Sequence, residues 1–299
     1  LKTVYKILDY FFLLRPTLFF PLWTALLAGR FNSPGYTPIG WVTLFLGILL
    51  GVSYILNQIA DIEGDRSNKK LFLMADNYVS VKAAMIYAAA LTLAGLGGFF
   101  FLGLIYGIAG VIFLFVTGYM YNFQPFRWKD NPYWGPLVTV FAGAMAFIFG
   151  ALPDLDGLIW KSVLPYMAAF GAVALLTTVL DISGDVEAGK KTFAVAFGGG
   201  KAAVTAAALC AISALAAYNN KDWIIFWPAL VSTPVYIYTA FKPVNKHIVL
   251  SIKLSIFSLS AAVGLIFPWY LLLMAGYYSF ARAYYKSRFN LEYPSFKLE

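Results

Sequence analysis

Nine apolar runs, each long enough to cross a lipid bilayer, take up most of this 299-residue chain. They lie at about 8–29, 38–60, 81–103, 105–122, 134–151, 161–180, 202–218, 223–240 and 250–282. A helical span needs roughly 17–25 predominantly apolar residues, set by the thickness of the hydrocarbon and the helix rise. Inside hydrocarbon a backbone must satisfy its own hydrogen bonds, and runs of this length do so as helices. The expected fold is an all-α integral membrane protein, nine transmembrane helices in a bundle, forming a single polytopic domain over 1–299. Pro268 should break or kink the last run, and Gly103 marks a tight junction between the third and fourth. The first run has no small-residue cleavage pattern and is followed by further spans, so it is expected to be a retained helix rather than a signal peptide.

Composition narrows the chemistry. The chain is 61% hydrophobic and 12% charged, with a mean hydropathy of +0.74; a soluble domain is about a quarter charged. Cys210 is the only cysteine and sits in an apolar run, which excludes an intrachain disulfide and favours a small buried hydrophobe. His247, beside Lys246 in a loop, is the only histidine. Any metal must then be held by oxygen ligands, which selects Mg²⁺ or Ca²⁺ over transition metals. The net charge of +8 is scattered over loops between spans. That distribution suits membrane lipid and an anionic substrate, not nucleic acid.

The loop charges also orient the chain. With an odd number of spans, the N-terminus and the loops after spans two, four, six and eight share a side. That side carries Lys2, Lys6, Arg66, Lys69, Lys70, Lys82, Arg127, Lys129, Lys190, Lys191, Lys201, Lys242 and Lys246, against Arg30, Lys161 and Lys221 opposite. The positive-inside rule places the N-terminus in the cytoplasm of a cell-membrane protein. The basic tail (Arg282, Lys286, Arg288, Lys297) runs against this orientation unless it lies on the membrane surface.

One phrase occurs twice, as Asp61-Ile62-Glu63-Gly64-Asp65 and Asp181-Ile182-Ser183-Gly184-Asp185. Each copy closes an apolar run and precedes a lysine pair, Lys69-Lys70 or Lys190-Lys191. Four spans separate the copies, so both halves insert alike. This points to two four-helix parallel repeats, 8–122 and 134–240, plus a last helix at about 250–282, with both acid motifs cytoplasmic. On a helix Asn57, Asp61 and Asp65, spaced i, i+4, i+8, drift slowly round one face, and Asp181 and Asp185 repeat the i, i+4 step. Acids beside hydrocarbon are costly and mark function. The bland reading, solvated helix ends, suits one acidic pair better than two matched ones. Two such faces would hold two Mg²⁺ ions bridged by a diphosphate.

Cations complete this set. The loop from Tyr121 to Lys129 carries Arg127 and Lys129, suited to a leaving diphosphate, with Arg66 and Lys190 as further candidates. Arg15-Pro16 lies within the first run, where a guanidinium demands an anionic partner. Most other lysines only set topology. Phe197-Gly198-Gly199-Gly200-Lys201 lacks P-loop spacing and reads as a flexible helix entry. Loops 66–80 and 186–201 are candidate lids.

The chain resembles the UbiA superfamily of intramembrane prenyltransferases, whose nine helices carry the motifs N-D-x-x-D-x-x-x-D and D-x-x-x-D. Asn57, Asp61 and Asp65 align with the first motif, and Asp181 and Asp185 with the second. Tyr121 through Lys129 is similar to the family's tyrosine-to-lysine loop, with longer spacing, and Arg15-Pro16 to its first-helix pair. Gln58 stands where the first motif has its second residue, an aspartate, and is therefore not expected to bind metal. The flavour is closest to archaeal members. The resemblance implies Mg²⁺-dependent transfer from a polyprenyl diphosphate to a lipophilic acceptor, through an allylic cation with release of diphosphate. It implies catalytic Asp61, Asp65, Asp181, Asp185 and Lys129, and metal ligands Asn57, Asp61, Asp65, Asp181 and Asp185. Substrate contacts would come from Asn57, Arg66, Tyr121, Arg127, Lys129, Lys190 and Arg15. The acceptor would be a geranylgeranylglyceryl phosphate lipid or an aromatic quinone precursor, for membrane lipid or quinone biosynthesis. The rival reading is a cation-coupled secondary transporter with the acids as its ion site; inverted repeats, common in such proteins, fit a four-span interval poorly.

Overall fold

A computed structural model of the chain describes residues 2–33, 35–63, 72–153 and 159–294, and these are helical with short connections and no strand. In chain order the helices are α1 (Lys2–Leu13), α2 (Phe20–Asn32), α3 (Ile39–Ala60), α4 (Phe72–Ala75), α5 (Val81–Leu102), α6 (Leu104–Leu114) and α7 (Trp134–Ala151). They continue as α8 (Ile159–Leu180), α9 (Ile182–Glu187), α10 (Phe193–Phe197), α11 (Gly199–Asn219), α12 (Trp223–Phe241), α13 (Asn245–Ile266) and α14 (Pro268–Phe289). Seven of the described helices (α3, α5, α7, α8, α11, α12 and α13) are long and apolar enough to cross a bilayer. The bent pair Thr3–Leu18 and Phe20–Asn32 makes an eighth if taken as one span. The all-helical, multi-pass membrane fold stands as expected. The difference from nine lies in two places: the first run is broken and Leu104–Met120 is short. The last run divides at Phe267 before Pro268 but still supplies one full span, α13.

The chain forms two compact units, one of Leu1–Phe20, Gly40–Gln124 and Phe267–Lys297, the other chiefly of Pro21–Ile39 and Pro125–Ile266. In the first, Gly103 takes φ 149°, a conformation open to glycine, and turns α5 into α6. Close approach is secured by other glycines: a Cβ on Gly95 would meet the Leu49 side chain at 2.7 Å, and one on Gly110 would meet Phe99 at 2.9 Å. Leu46, Leu49, Phe99 and Phe113 fill the resulting core. At the other edge of this unit Asp9 of α1, only 2% exposed, accepts from Tyr284 Oη at 2.6 Å and pairs with Arg288 Nη2 at 3.2 Å. The Arg288 guanidinium also lies over the rings of Tyr5, Tyr78 and Phe289. One of the tail's cations is thus committed to an internal carboxylate, which lightens its conflict with the loop-charge rule.

The second unit packs α8 against α11, α11 against α12 and α12 against α13 around Ala172, Leu176, Ala203, Ala206, Cys210 and Tyr236. Cys210 is buried there, as a small hydrophobe should be. The alanine-rich face of α11 lets backbones approach closely, the usual basis of helix packing in lipid. Prolines within spans need compensation, because each removes a backbone donor. Pro165 leaves the Lys161 carbonyl without its helical partner, and Asn220 Nδ2 donates to it at 2.6 Å. Asp222 caps α12 through Ile224 N–H and accepts from Tyr166 Oη at 2.9 Å and Asn32 Nδ2 at 3.2 Å. Burial raises the Asp222 carboxyl above the ordinary aspartate range, and these donors offset part of that rise.

Helices α2 and α7 meet through Gly29 and Gly150, whose missing side chains leave room for the carbonyls of Phe147 and Leu26. A Cβ at either position would overlap backbone, which cannot swing aside. Gly150→Ala should therefore cost about 3 kcal/mol, the upper end of overpacking penalties, read as a lower thermal midpoint in detergent. Gly40→Ala, where nothing lies within 4 Å, is the control that should leave the midpoint unchanged.

Candidate functional site

In the first unit the site residues follow from how α3 ends. The helix stops at Ala60, and Asp61 sits in a turn whose N–H still bonds Asn57 O at 3.1 Å. Asn57 and Asp61 are both half-buried. Asp65 and Arg66 lie outside the described residues, as do Lys69 and Lys70. Gln58 points elsewhere: it is 2% exposed and its Nε2 donates to Leu13 O at 2.9 Å and Tyr54 O at 3.0 Å. The Leu13 carbonyl has lost its helical partner because α1 ends there. The amide at the motif's second position is thus consumed in sealing a helix end.

Arg15 occupies the break after α1 in the left-handed region, at φ 53° and ψ 50°. Its guanidinium lies 5.5 Å from the centroid of the Tyr54 ring. The first-helix arginine therefore shares an element face with the start of the acid motif, since Tyr54 precedes Asn57 by about one helical turn.

The far wall of this unit comes from α6, which continues into a π turn at Phe115–Met120 before Tyr121. Thr117 Oγ1 lies 2.9 Å from Ser53 Oγ, and one turn on, Asn57 Nδ2 donates to Asn122 Oδ1 at 2.9 Å. Tyr121 is half-buried beside Asn122. Polar side chains paired between two apolar helices mark a built feature, because lipid offers them no alternative partner.

In the second unit Asp181 sits in the turn between α8 and α9, exposed, and Asp185 N–H bonds its carbonyl at 2.8 Å. Both copies of the repeated phrase therefore begin alike, with the first acid in a one-residue turn after a long helix. Asp185 is half-buried and accepts from Thr192 Oγ1 at 2.9 Å. The chain between them folds back, since Lys190 N–H bonds Asp185 O at 2.8 Å and Gly189 supplies the positive φ of 68° that this reversal requires. Lys191 N–H then reaches Asp130 O at 3.2 Å, which joins this loop to the turn carrying Arg127 and Lys129. Arg127 adopts φ 40° and pairs through Nε with Asp130 Oδ2 at 2.6 Å; Lys129 is buried, 7% exposed. Trp128 stacks on Trp134 at 4.7 Å and holds the turn against the start of α7.

Burial raises the Asp185 carboxyl above the ordinary aspartate range; Thr192 and Lys190 oppose the rise, while Asp181 and Asp130 add to it. The second unit thus brings together Asp181, Asp185, Lys190, Arg127 and Lys129. Among the described residues no three His, Cys, Asp or Glu side chains form a cluster able to hold a metal ion. The donors on each unit are nevertheless hard oxygens, the type that suits Mg²⁺.

Three participants escaped the sequence reading: Asn122, Asp130 and Thr192. Asn122 had a signal, an amide at the end of an apolar run. Asp130 and Thr192 had none, because their roles depend on a fold-back that local sequence does not encode.

The chain matches the UbiA prenyltransferase family over residues 17–247. It is similar to 2-acylphloroglucinol 4-prenyltransferase of Humulus lupulus, 27% identical over 188 residues that cover 58% of this chain and 44% of that protein. It is also similar to 2-acyl-4-prenylphloroglucinol 6-prenyltransferase of the same plant, 33% identical over 169 residues that cover 50% of this chain and 40% of the relative. The matched region thus spans less than half the length of these curated relatives. In fold it is similar to a UbiA homologue from Archaeoglobus fulgidus bound to GPP and Mg²⁺, with a TM-score of 0.67 and 18% identity over 89% of this chain and 99% of that one. A structure of digeranylgeranylglyceryl phosphate synthase gives a TM-score of 0.65 at 16% identity, over 86% and 98% of the two chains. With a helical membrane fold, two matched acid turns and a family match over most of its length, this chain belongs to the UbiA prenyltransferase family.

Proposed function

We propose that the protein transfers a prenyl group from a polyprenyl diphosphate to a lipophilic acceptor within the membrane, with Mg²⁺ as cofactor. The observation that carries this reading is the repeated acid turn, built at the end of α3 and again at the end of α8. Its oxygen donors suit Mg²⁺, and a carboxyl such as Asp185, crowded by burial and neighbouring acids, gains most from a cation. In this proposal Asn57, Asp61, Asp65, Asp181 and Asp185 bind two Mg²⁺ ions, which when present neutralise the diphosphate. Arg15, Arg66, Tyr121, Arg127, Lys129 and Lys190 bind the diphosphate oxygens, Arg127 as a fork and Lys129 as a point charge. Holding positive charge where negative charge develops is the largest single contribution to such a reaction. The C–O bond breaks, diphosphate departs with the electron pair, and the allylic cation is attacked by the acceptor, which then loses a proton. Apolar helices keep water from the cation. The acceptor is either an aromatic ring or a glyceryl phosphate lipid, and family membership weighs against an ion-coupled transporter.

Purified protein in lipid, given geranylgeranyl diphosphate, Mg²⁺ and a panel of aromatic and glyceryl phosphate acceptors, should form product and release diphosphate. Asp61→Ala and Asp181→Ala should each lower turnover by ~10²-fold or more while expression is retained. Turnover that survives complete chelation by EDTA would overturn the metal, and substrate-driven ion flux without diphosphate release would overturn the transferase. Gln58→Ala separates motif from scaffold: it should lower stability by about 1–3 kcal/mol, from the orphaned Leu13 carbonyl, yet leave the half-saturating Mg²⁺ concentration unchanged.

We also assign the N-terminus and both acid turns to the cytoplasmic face of the cell membrane, from the loop charges. Cys210 is buried, so reporter thiols read cleanly. A membrane-impermeant maleimide should label Lys221→Cys on intact cells and Lys201→Cys only after permeabilisation, these positions lying at opposite ends of α11. The reverse pattern would invert the topology.

A further inference from the structure

We infer that Asn122 is a positioning residue that fixes which end of the Asn57 side-chain amide meets the cation. The inference rests on the reading of Asn57 as a metal ligand. An asparagine amide has one useful end for Mg²⁺, its carbonyl oxygen; the opposite end presents donor hydrogens that repel a cation. An unconstrained Asn57 would sample both.

The neighbouring contacts remove that freedom. Asn122 is 2% exposed, and its Nδ2 donates to Gly118 O at 2.8 Å and Thr117 O at 3.3 Å. Backbone carbonyls only accept, so this amide cannot be turned round without losing both bonds. Its Oδ1 is then obliged to face α3, where it accepts from Asn57 Nδ2 at 2.9 Å. By the geometry of a planar amide, Asn57 Oδ1 is directed away from Asn122. The orientation of the ligand is thus set by two backbone carbonyls on another helix, through one intervening side chain.

Two features of α6 make the relay possible. The helix is wound as a π turn at Phe115–Met120, and the Asn122 side chain, just beyond it, reaches back to Thr117 O within that turn. Gly118 then allows α3 to come close, since a Cβ there would already meet Leu56 at 3.2 Å. The Ser53–Thr117 contact one turn earlier holds the register of the two helices. Supporting contacts of this kind orient metal ligands, and their loss commonly weakens metal affinity by ~10–100-fold.

The test is a cycle of variants read by Mn²⁺ binding, using electron paramagnetic resonance on purified protein with inorganic diphosphate present. Asn57→Ala should weaken Mn²⁺ binding by about tenfold or more, and Asn122→Ala by a similar factor. The double variant should be no weaker than Asn57→Ala alone, within about twofold, because Asn122 acts only through Asn57. The decisive arm uses Asn57→Asp. A carboxylate has no wrong end and is repelled by Asn122 Oδ1, so in that background Asn122→Ala should be neutral or improve binding. A purely structural Asn122 would weaken binding by the same factor in every background, which overturns the inference. So does an Asn122→Ala protein that binds Mn²⁺ as wild type does while Asn57→Ala does not. If Asn57→Ala itself leaves binding unchanged, Asn57 is not a ligand, and the metal assignment of that residue falls with the inference. Should Asn122→Ala not fold, Asn122→Ser takes its place: the hydroxyl can still serve the Gly118 carbonyl but is too short to reach Asn57.

Discussion

A backbone carbonyl that loses its helical partner inside a membrane protein has no water to turn to, and much of this structure is arranged around that constraint. Where α1 ends, Gln58 supplies a donor to Leu13. Where Pro165 interrupts α8, Asn220 supplies one to Lys161, here at the exposed end of the helix. Where the π turn opens α6, Asn122 serves Thr117 and Gly118. In each case a carboxamide has been placed against an irregular stretch of helix. The irregularities also shape the site. The break after α1 puts Arg15 beside Tyr54, and the π turn brings Asn122 to Asn57.

Charge is handled with similar economy. Asp9 takes Arg288 and Tyr284, so the last helix is fastened to the first by a buried carboxylate outside both acid turns. Asp222 is surrounded by three donors at the head of α12. Asp185, like Asp222, keeps a raised pKa, and here burial and two neighbouring acids outweigh Thr192 and Lys190. The neighbouring acids Asp181 and Asp130 are what set Asp185 apart, and a bound cation would relieve them.

Gln58 and Asn122 show where the sequence was legible and where it was not. The departure at Gln58 was visible from the motif, but its task was not, because the partner lies 45 residues away on another helix. Asn122 sat in plain view within the loop from Tyr121 to Lys129, yet its significance needed the π turn, and no residue type announces one. The second motif was readable as a pair of acids one turn apart. The return of the chain through Gly189 to Thr192, and onward to Asp130, followed only from the folded backbone.

The sequence by itself determined the class of molecule, the long spans, the break at Pro268 and the repeated acids, because these depend on local properties: run length, side-chain polarity and the missing donor of proline. Tertiary structure decided how the helices end, which amide faces which carbonyl, and which acids are satisfied by the protein. Those outcomes depend on hydrogen bonds between residues far apart in the chain. In lipid such bonds are chosen by what each helix leaves unpaired, and that is known only once the helices have packed.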